Sequence, residues 1–186
     1  DEDKYPSTNI QMNIFKEQIN IIENLKINFL HPKDFNEEIS KTNKIKKVLL
    51  TIDDGFQSFY DNAWPVLKNK NIPFILFIST VYVGKKGYIN WEHIKEIEES
   101  GLGIIGNHSH THEYLVDKTN NQIINDINQA IELFEKKLGY SPKYFSYPFG
   151  EYSNDFKKIL KNLNLNIAFG QHSGAIDSSK NYLELP

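Results

Sequence analysis

The sequence predicts an α/β fold in which parallel strands are covered by helices. Short, continuously apolar runs alternate with longer segments whose apolar residues recur at helical spacing. Strands that are apolar on both faces are typical of parallel sheets packed between helices. Three of the runs also end in polar or glycine-containing segments, and in parallel folds such segments share one rim with the active site.

The strands and helices follow each other regularly. The predicted strands cover residues 48–52, 73–78, 102–105, 144–147 and 165–169, with short additional strands near 27–30 and 182–185. The predicted helices start near residue 9, at 34–39, around Pro65, at 91–101, after Thr119 and after Ser153 or Asn154. Residues 1–9 are polar and predicted to be loose, and 40–47 form a lysine-rich loop.

Composition limits the possible functions. With 186 residues, the chain is expected to form one domain, residues 1–186, with a sizeable core. A net charge of −3 gives no general attraction to nucleic acid or to an anionic membrane. The absence of cysteine excludes disulfides and thiolate metal sites, and no transmembrane segment is predicted. Because the chain begins at Asp1, we expect it to be a processed or trimmed product.

Two adjacent carboxylates, Asp53 and Asp54, follow the strand at 48–52 and precede Gly55. Like charges repel each other and burial disfavours both, so a cation or a shared proton must compensate them. Adjacent residues in a turn point in different directions, and one carboxylate could therefore bind a metal while the other remains a free base. The alternative is a solvated Asp-Gly turn, which this motif alone fits equally well.

Three of the six histidines fall within five residues, at His108, His110 and His112. His108 and His112 are four residues apart, so they can share a face of a helical turn and bind one metal ion. Two histidines and a carboxylate leave positions open for water and substrate, and they suit zinc but also cobalt, nickel or iron. His110 is predicted to be structural or to lie on the rim. The alternative is a polar loop.

The third polar segment is aromatic and runs from Tyr147 to Gly150. In isolation it is best explained as a simple turn. Its functional interpretation is a wall for a sugar ring, with a backbone N–H near Phe149 directed at a developing oxyanion. Trp91 and Tyr114 are further candidates for stacking on sugars.

In this order, the three segments resemble motifs of the polysaccharide deacetylase family, the NodB homology domain of carbohydrate esterase family 4. Thr51–Gly55 is similar to the first family motif, T-F-D-D, and His108–His112 to the second, H-[ST]-x-x-H. Phe145–Gly150 resembles the third motif of the poly-N-acetylglucosamine deacetylase branch, F-x-[YW]-P-[YF]-G. The resemblance covers roughly residues 15–169.

The resemblance implies an irregular (β/α) barrel with fewer than eight regular units, trimmed at both ends. It implies that Asp53 is the catalytic base and that Phe149 and Tyr147 contact the oxyanion or the substrate. One divalent metal ion, with zinc the first candidate, would be held by three residues, Asp54, His108 and His112.

The chain also departs from the family pattern. Many members carry an arginine in the third motif that holds the base; the aligned residue here is Ser146, and all 21 basic residues are lysines. After residue 150 there is no tryptophan and no Leu-x-His motif, which supplies the general acid in many members. His172 is the only histidine in that region, and it is a candidate for the acid or for a residue of the rim.

The function implied by the resemblance is metal-dependent removal of N-acetyl groups from a polysaccharide containing N-acetylglucosamine, with release of acetate. Its partner would be an N-acetylated glycan, and the protein would be exported to the periplasm or cell surface. Two alternatives stay open because the arginine and the late histidine motif are missing. One is a related metal hydrolase of a small C–N substrate; the other is a catalytically weak glycan-binding module.

Overall fold

The computed structural model describes residues 9–41, 45–177 and 180–186. Predictions for residues 1–8 and for the middle of the lysine-rich loop lie outside these ranges. The α-helices are α1 Met12–Asn24, α2 Phe35–Ser40, α3 Trp64–Lys70, α4 Trp91–Glu99, α5 Asn120–Leu138 and α6 Asn154–Asn162. The strands are β1 Asn28–Phe29, β2 Lys47–Val48, β3 Leu50–Ile52, β4 Phe74–Ile78, β5 Gly103–Asn107, β6 Tyr144–Ser146 and β7 Ile167–Phe169.

Five strands form one parallel sheet in the order β3-β4-β5-β6-β7, which is also their order along the chain. One α-helix lies between each strand and the next, so the sheet consists of four consecutive β-α-β units. β1 and β2 form a separate parallel pair. The sheet curls into a half-barrel, which confirms the predicted α/β fold with fewer than eight regular units.

The core lies on both sides of the interior strand β4, whose five residues are all buried. Alternate side chains point to opposite faces of a strand. Phe74 therefore packs with α3 and α4 residues on the helix side. Phe77 packs with Phe35 and Phe169 on the inner side of the half-barrel. Burial on both faces explains why β4 is an uninterrupted apolar run.

The prediction of a single buried strand at 48–52 is wrong in two respects. It is divided into β2, which pairs with β1, and β3, which pairs with β4. It is also not fully buried, because Thr51 is exposed and Leu50 and Ile52 are only half-buried. β3 has a strand neighbour on one side only within the described sheet, and an edge strand keeps part of its surface accessible.

The predicted helix ends are confirmed where the sequence contains capping residues. Thr119 and Gln122 form a capping box at the start of α5, and Gly139 ends that helix in the left-handed conformation with φ 84°. Ser153, rather than Asn154, caps α6. The predicted strand at 182–185 is reduced to a single bridge between Phe169 and Leu185. Across the described ranges, no helix is long and apolar enough to cross a membrane.

A substitution at Gly106 tests how closely β4 and β5 pack. A Cβ atom added to Gly106 would lie 2.3 Å from Cδ1 of Phe77 and 3.2 Å from Cγ2 of Ile75, and both neighbours are fully buried. We expect Gly106→Ala to reduce the free energy of unfolding by about 1–3 kcal/mol, measured by urea denaturation. Gly174→Ala is the control, since its nearest contact is an ordinary 3.4 Å to Pro186. Equal unfolding midpoints for the two variants would contradict this description of the core.

Candidate functional site

The polar segments found in the sequence meet at the carboxyl-terminal rim of the sheet. Asp53 and Asp54 follow β3, and His108 follows β5. The segment from Tyr147 to Gly150 follows β6 and includes a short 3₁₀ turn, Pro148–Gly150. Because the strands are parallel, their carboxyl ends lie on the same side of the sheet.

Asp54, His108 and His112 form a group that could hold a metal ion. Their ligand atoms all lie within 4.8 Å of one another. Oδ1 of Asp54 is 3.6 Å from Nε2 of His108 and 3.3 Å from Nε2 of His112. Two ligands bound tetrahedrally at about 2.1 Å lie roughly 3.4 Å apart, so these separations fit a single ion such as zinc. The donor set and the spacing therefore both suit a divalent metal.

The hydrogen bonds of His108 prepare its ring for a metal. Nδ1 of His108 lies 2.7 Å from the backbone oxygen of Ser146. A carbonyl oxygen can only accept, so Nδ1 carries the proton and Nε2 presents its lone pair towards Asp54. The backbone oxygen of His108 in turn accepts a 2.7 Å hydrogen bond from the hydroxyl of Ser79. A neutral, oriented imidazole is the form that binds a metal ion.

His112 lies closer to solvent than His108, with 21% of its side chain exposed compared with 2% for His108. Burial, and next the neighbouring His108, lower the pKa of His112, while Asp54 acts in the opposite direction. The lowered pKa favours the neutral ring that a metal requires.

The loop that carries both histidines is not the helical turn predicted from their spacing. Ser109 and His112 adopt left-handed backbone conformations, with φ 68° and 56°. Asp126 of α5 is buried and accepts hydrogen bonds from the backbone N–H groups of His110 and Thr111, at 2.7 and 3.1 Å. The helix therefore fixes the loop from outside, and a tertiary contact replaces the local helix.

Asp126 and Ser79 were not identified from the sequence. Asp126 lies three residues after Ile123 and one before Ile127, on the apolar face of α5. A carboxylate on an apolar helix face is a readable signal for a buried polar contact. Ser79 gives no comparable signal, because a serine after a strand is common. Nδ1 of His110 forms a 2.8 Å hydrogen bond with the hydroxyl of Thr80. His110 lies outside the metal-binding group.

Asp53 lies beside this group but does not belong to it. Its Oδ2 accepts a 3.1 Å hydrogen bond from the hydroxyl of Ser146. Burial is the main influence and raises the pKa of Asp53; the imidazole of His108 lowers it, and the carboxylate of Asp54 raises it. The backbone turns sharply between the two aspartates, since Asp54 has φ 72° and Gly55 has φ 67°. This turn separates the two carboxylates.

Phe149 and Tyr147 have different surroundings. Phe149 is 52% exposed, has φ 60°, and its ring centroid is 4.9 Å from that of His112 and 5.8 Å from that of Tyr114. Tyr147 is fully buried, and its hydroxyl donates to the backbone oxygen of Leu183 at 3.0 Å. The prediction that the Tyr147 side chain forms a wall for a sugar is therefore wrong. Trp91 is half-buried and packs edge-on against the core residue Phe134.

His172 is not brought together with the other predicted residues. It is exposed and lines an open cavity with Leu30, Val48 and residues of the C-terminal segment. None of Asp53, Asp54, His108 or His112 lines this cavity. The position of His172 gives no support to a role as general acid.

The sequence model of the polysaccharide deacetylase family matches residues 40–168, which include all three polar segments. The chain belongs to the polysaccharide deacetylase family. The fold and the motif order are thus those of a NodB-type polysaccharide deacetylase, as the resemblance implied.

Several polysaccharide deacetylases are similar over most of this chain. The poly-β-1,6-N-acetyl-D-glucosamine N-deacetylase of Staphylococcus aureus strain MSSA476 is 27% identical over an alignment that covers 92% of this chain and 64% of that protein. The chain therefore spans somewhat under two thirds of the length of this relative. The solved structure of IcaB from Ammonifex degensii has a TM-score of 0.88 and 25% identity, covering 95% of this chain and 82% of the other.

A third similarity concerns the fold alone. The Streptococcus pyogenes deacetylase PplD in complex with acetate has a TM-score of 0.86 at 21% identity, covering 97% of this chain and 83% of the other. The half-barrel of this chain is therefore shared with chains of quite different sequence.

The metal-binding group predicts which histidines control metal affinity. We expect His112→Ala to weaken zinc binding by more than about 100-fold, because it removes one of three ligands, whereas changes around a ligand cost about 10- to 100-fold. Isothermal titration with zinc measures the effect. His110→Ala is the matched control, since it lies in the same loop but outside the group. Equal zinc affinity in both variants would rule out the assignment of His112.

Proposed function

We propose that this chain is a metal-dependent N-deacetylase that acts on a polysaccharide containing N-acetylglucosamine and releases acetate. The observation that carries the proposal is the arrangement of two adjacent carboxylates. Asp54 faces two histidines, while Asp53 lies beside the group with a hydrogen bond to Ser146. Hydrolysis of an amide is helped by an electrophilic centre and a base next to each other. Asp53 would be the base, and a metal ion held by Asp54, His108 and His112 would be the electrophilic centre.

The donor set selects the class of metal. One carboxylate and two imidazoles suit zinc, and cobalt, nickel or iron can replace it. A divalent ion held by Asp54, His108 and His112 would polarise the acetamide carbonyl and acidify a water molecule. The hydrogen bond from Nδ1 of His108 to Ser146 keeps the ligand ring oriented.

Asp53 and Phe149 each have a defined part in the proposed reaction. Asp53 accepts a proton from the attacking water, whose oxygen forms a bond to the carbonyl carbon. The backbone N–H of Phe149 donates to the oxyanion that develops on the carbonyl oxygen. The proton that Asp53 accepted passes to the amide nitrogen as the C–N bond breaks, which gives a free amino sugar and acetic acid. The acid then ionises to acetate and releases its proton to solvent.

The openness of the rim favours a polymer over a small enclosed substrate. The side chain of Asp54 is 26% exposed, and both Phe149 and Tyr114 present much of their rings to solvent. The ring of Phe149 is adjacent to His112, and the ring of Tyr114 is adjacent to Phe149, so a sugar could stack there while its acetamide group reaches the metal-binding group. The poly-N-acetylglucosamine deacetylase named among the relatives points to the same kind of substrate. A glycan of this kind would place the protein at the cell surface or in the periplasm.

The reaction is tested by acetate release from N-acetylglucosamine oligomers. We expect release by the zinc-loaded protein, loss of release with a chelator, and recovery when zinc is restored. Enzymatic measurement of acetate over time gives the result. Binding of the oligomers without acetate release by the zinc-loaded protein would instead support a glycan-binding module, and release that is insensitive to the chelator would exclude a metal-dependent reaction.

If Asp53 is the base, a substitution there should reduce turnover without changing metal binding. Asp53→Asn keeps the shape of the side chain but removes the base, so we expect kcat to fall by about 10²- to 10⁴-fold while zinc affinity is unchanged. Steady-state kinetics and zinc titration measure the two quantities. Asp61→Asn is the control, because Asp61 is an exposed aspartate that accepts a hydrogen bond from Gln57. A variant at Asp53 with undiminished kcat would remove Asp53 from the mechanism.

A further inference from the structure

Ser146 contacts both halves of the candidate site. It is the last residue of β6, and it is 2% exposed. Its hydroxyl donates to Oδ2 of Asp53 at 3.1 Å, and its backbone oxygen accepts from Nδ1 of His108 at 2.7 Å. One residue thus contacts a proposed base through its side chain and a proposed metal ligand through its main chain.

The hydroxyl of Ser146 has no substitute on the Asp53 carboxylate. Among the residues that the structure describes, no other side chain forms a hydrogen bond with this carboxylate, and no lysine forms an ion pair with it. The sequence contains no arginine that could take this position. The carboxylate is therefore oriented by a neutral donor rather than by a cation.

The direction of this hydrogen bond determines which oxygen of Asp53 remains available. Oδ2 is held by Ser146, which leaves Oδ1 for a water molecule at the rim. Without the hydroxyl, the carboxylate would lose its one side-chain hydrogen bond within the described part of the chain, and its orientation would be less restricted. Removing a hydrogen bond to a charged group costs enough to change a rate about 10- to 100-fold.

We propose that Ser146 is a positioning residue whose hydroxyl fixes the orientation of the Asp53 carboxylate beside the metal-binding group. The proposal rests on the proposed function, in which Asp53 is the base. Ser146 is buried and acts through Asp53, so it changes turnover and leaves substrate binding alone. Its backbone oxygen fixes the relative position of His108, so the base and the ligand share one support.

The kinetic test separates the effect of the Ser146 hydroxyl from the effect of its backbone carbonyl. Ser146→Ala removes the hydroxyl and keeps the backbone oxygen. We expect kcat for acetate release from N-acetylglucosamine oligomers to fall about 10- to 100-fold, with KM and zinc affinity unchanged. Ser146→Thr restores a hydroxyl donor and is expected to recover most of the lost kcat. An unchanged kcat in Ser146→Ala, or a kcat that falls together with zinc affinity, would overturn the proposal.

A second measurement does not depend on catalysis. Thermal unfolding of the zinc-loaded protein is compared for Ser146→Ala, Asp53→Ala and the double variant. We expect the midpoint shift caused by Ser146→Ala to fall by at least half when Asp53 is already alanine. Ser79→Ala is the matched control, since Ser79 is an equally buried serine whose hydroxyl contacts His108 and not Asp53, and its shift should be the same in both backgrounds.

The two measurements distinguish failure of the inference from failure of the proposed function. A zinc-loaded wild-type protein that releases no acetate would refute the proposed function, while the unfolding cycle would still decide whether Ser146 holds Asp53. Fully additive midpoint shifts for Ser146→Ala and Asp53→Ala would overturn the inference even in an active enzyme.

Discussion

The candidate site depends on how two neighbouring carboxylates are kept apart. Asp53 and Asp54 leave β3 at the same point, and two like charges this close cannot both be accommodated without a compensating group. The left-handed turn at Asp54 and Gly55 resolves the conflict, because it sends one carboxylate towards two imidazoles and leaves the other beside a hydroxyl. The division of labour proposed for the two residues follows from this turn.

The groups that receive these carboxylates are themselves fixed by the layers of the fold. β5 and β6 place His108 and Ser146 side by side, since Asn107 and Phe145 are register partners. The α5 helix holds the histidine loop through Asp126, whose carboxylate binds the loop backbone. The site is therefore supported by the sheet on one side and by a helix on the other, and its ligand geometry does not depend on the loop alone.

Much of this arrangement could be predicted from the sequence, and the errors have identifiable causes. Continuous apolar runs and capping residues are local signals, and they located β4 and α5 correctly. The conformation of the histidine loop could not be predicted from the spacing of its histidines alone, because Asp126, which lies 14 residues after His112 along the chain, accepts hydrogen bonds from the backbone of His110 and Thr111. Tyr147 was misplaced for a similar reason, since its hydroxyl finds an acceptor at Leu183, far along the sequence. In the sequence, Ser146 was noted only as the residue that stands where many family members carry an arginine. Its hydrogen bond to Asp53 could be found only in the structure.

In the proposed site, Asp54, His108 and His112 share one metal ion while Asp53 stays outside its coordination. A crystal of the zinc-loaded protein, with anomalous data collected on both sides of the zinc absorption edge, would show which side chains coordinate the ion. We expect one strong peak at the carboxyl-terminal rim, bonded to these three side chains, with Asp53 hydrogen-bonded to Ser146 and not coordinated to zinc. A peak bonded to Asp53, or no peak between Asp54 and the two histidines, would contradict this assignment.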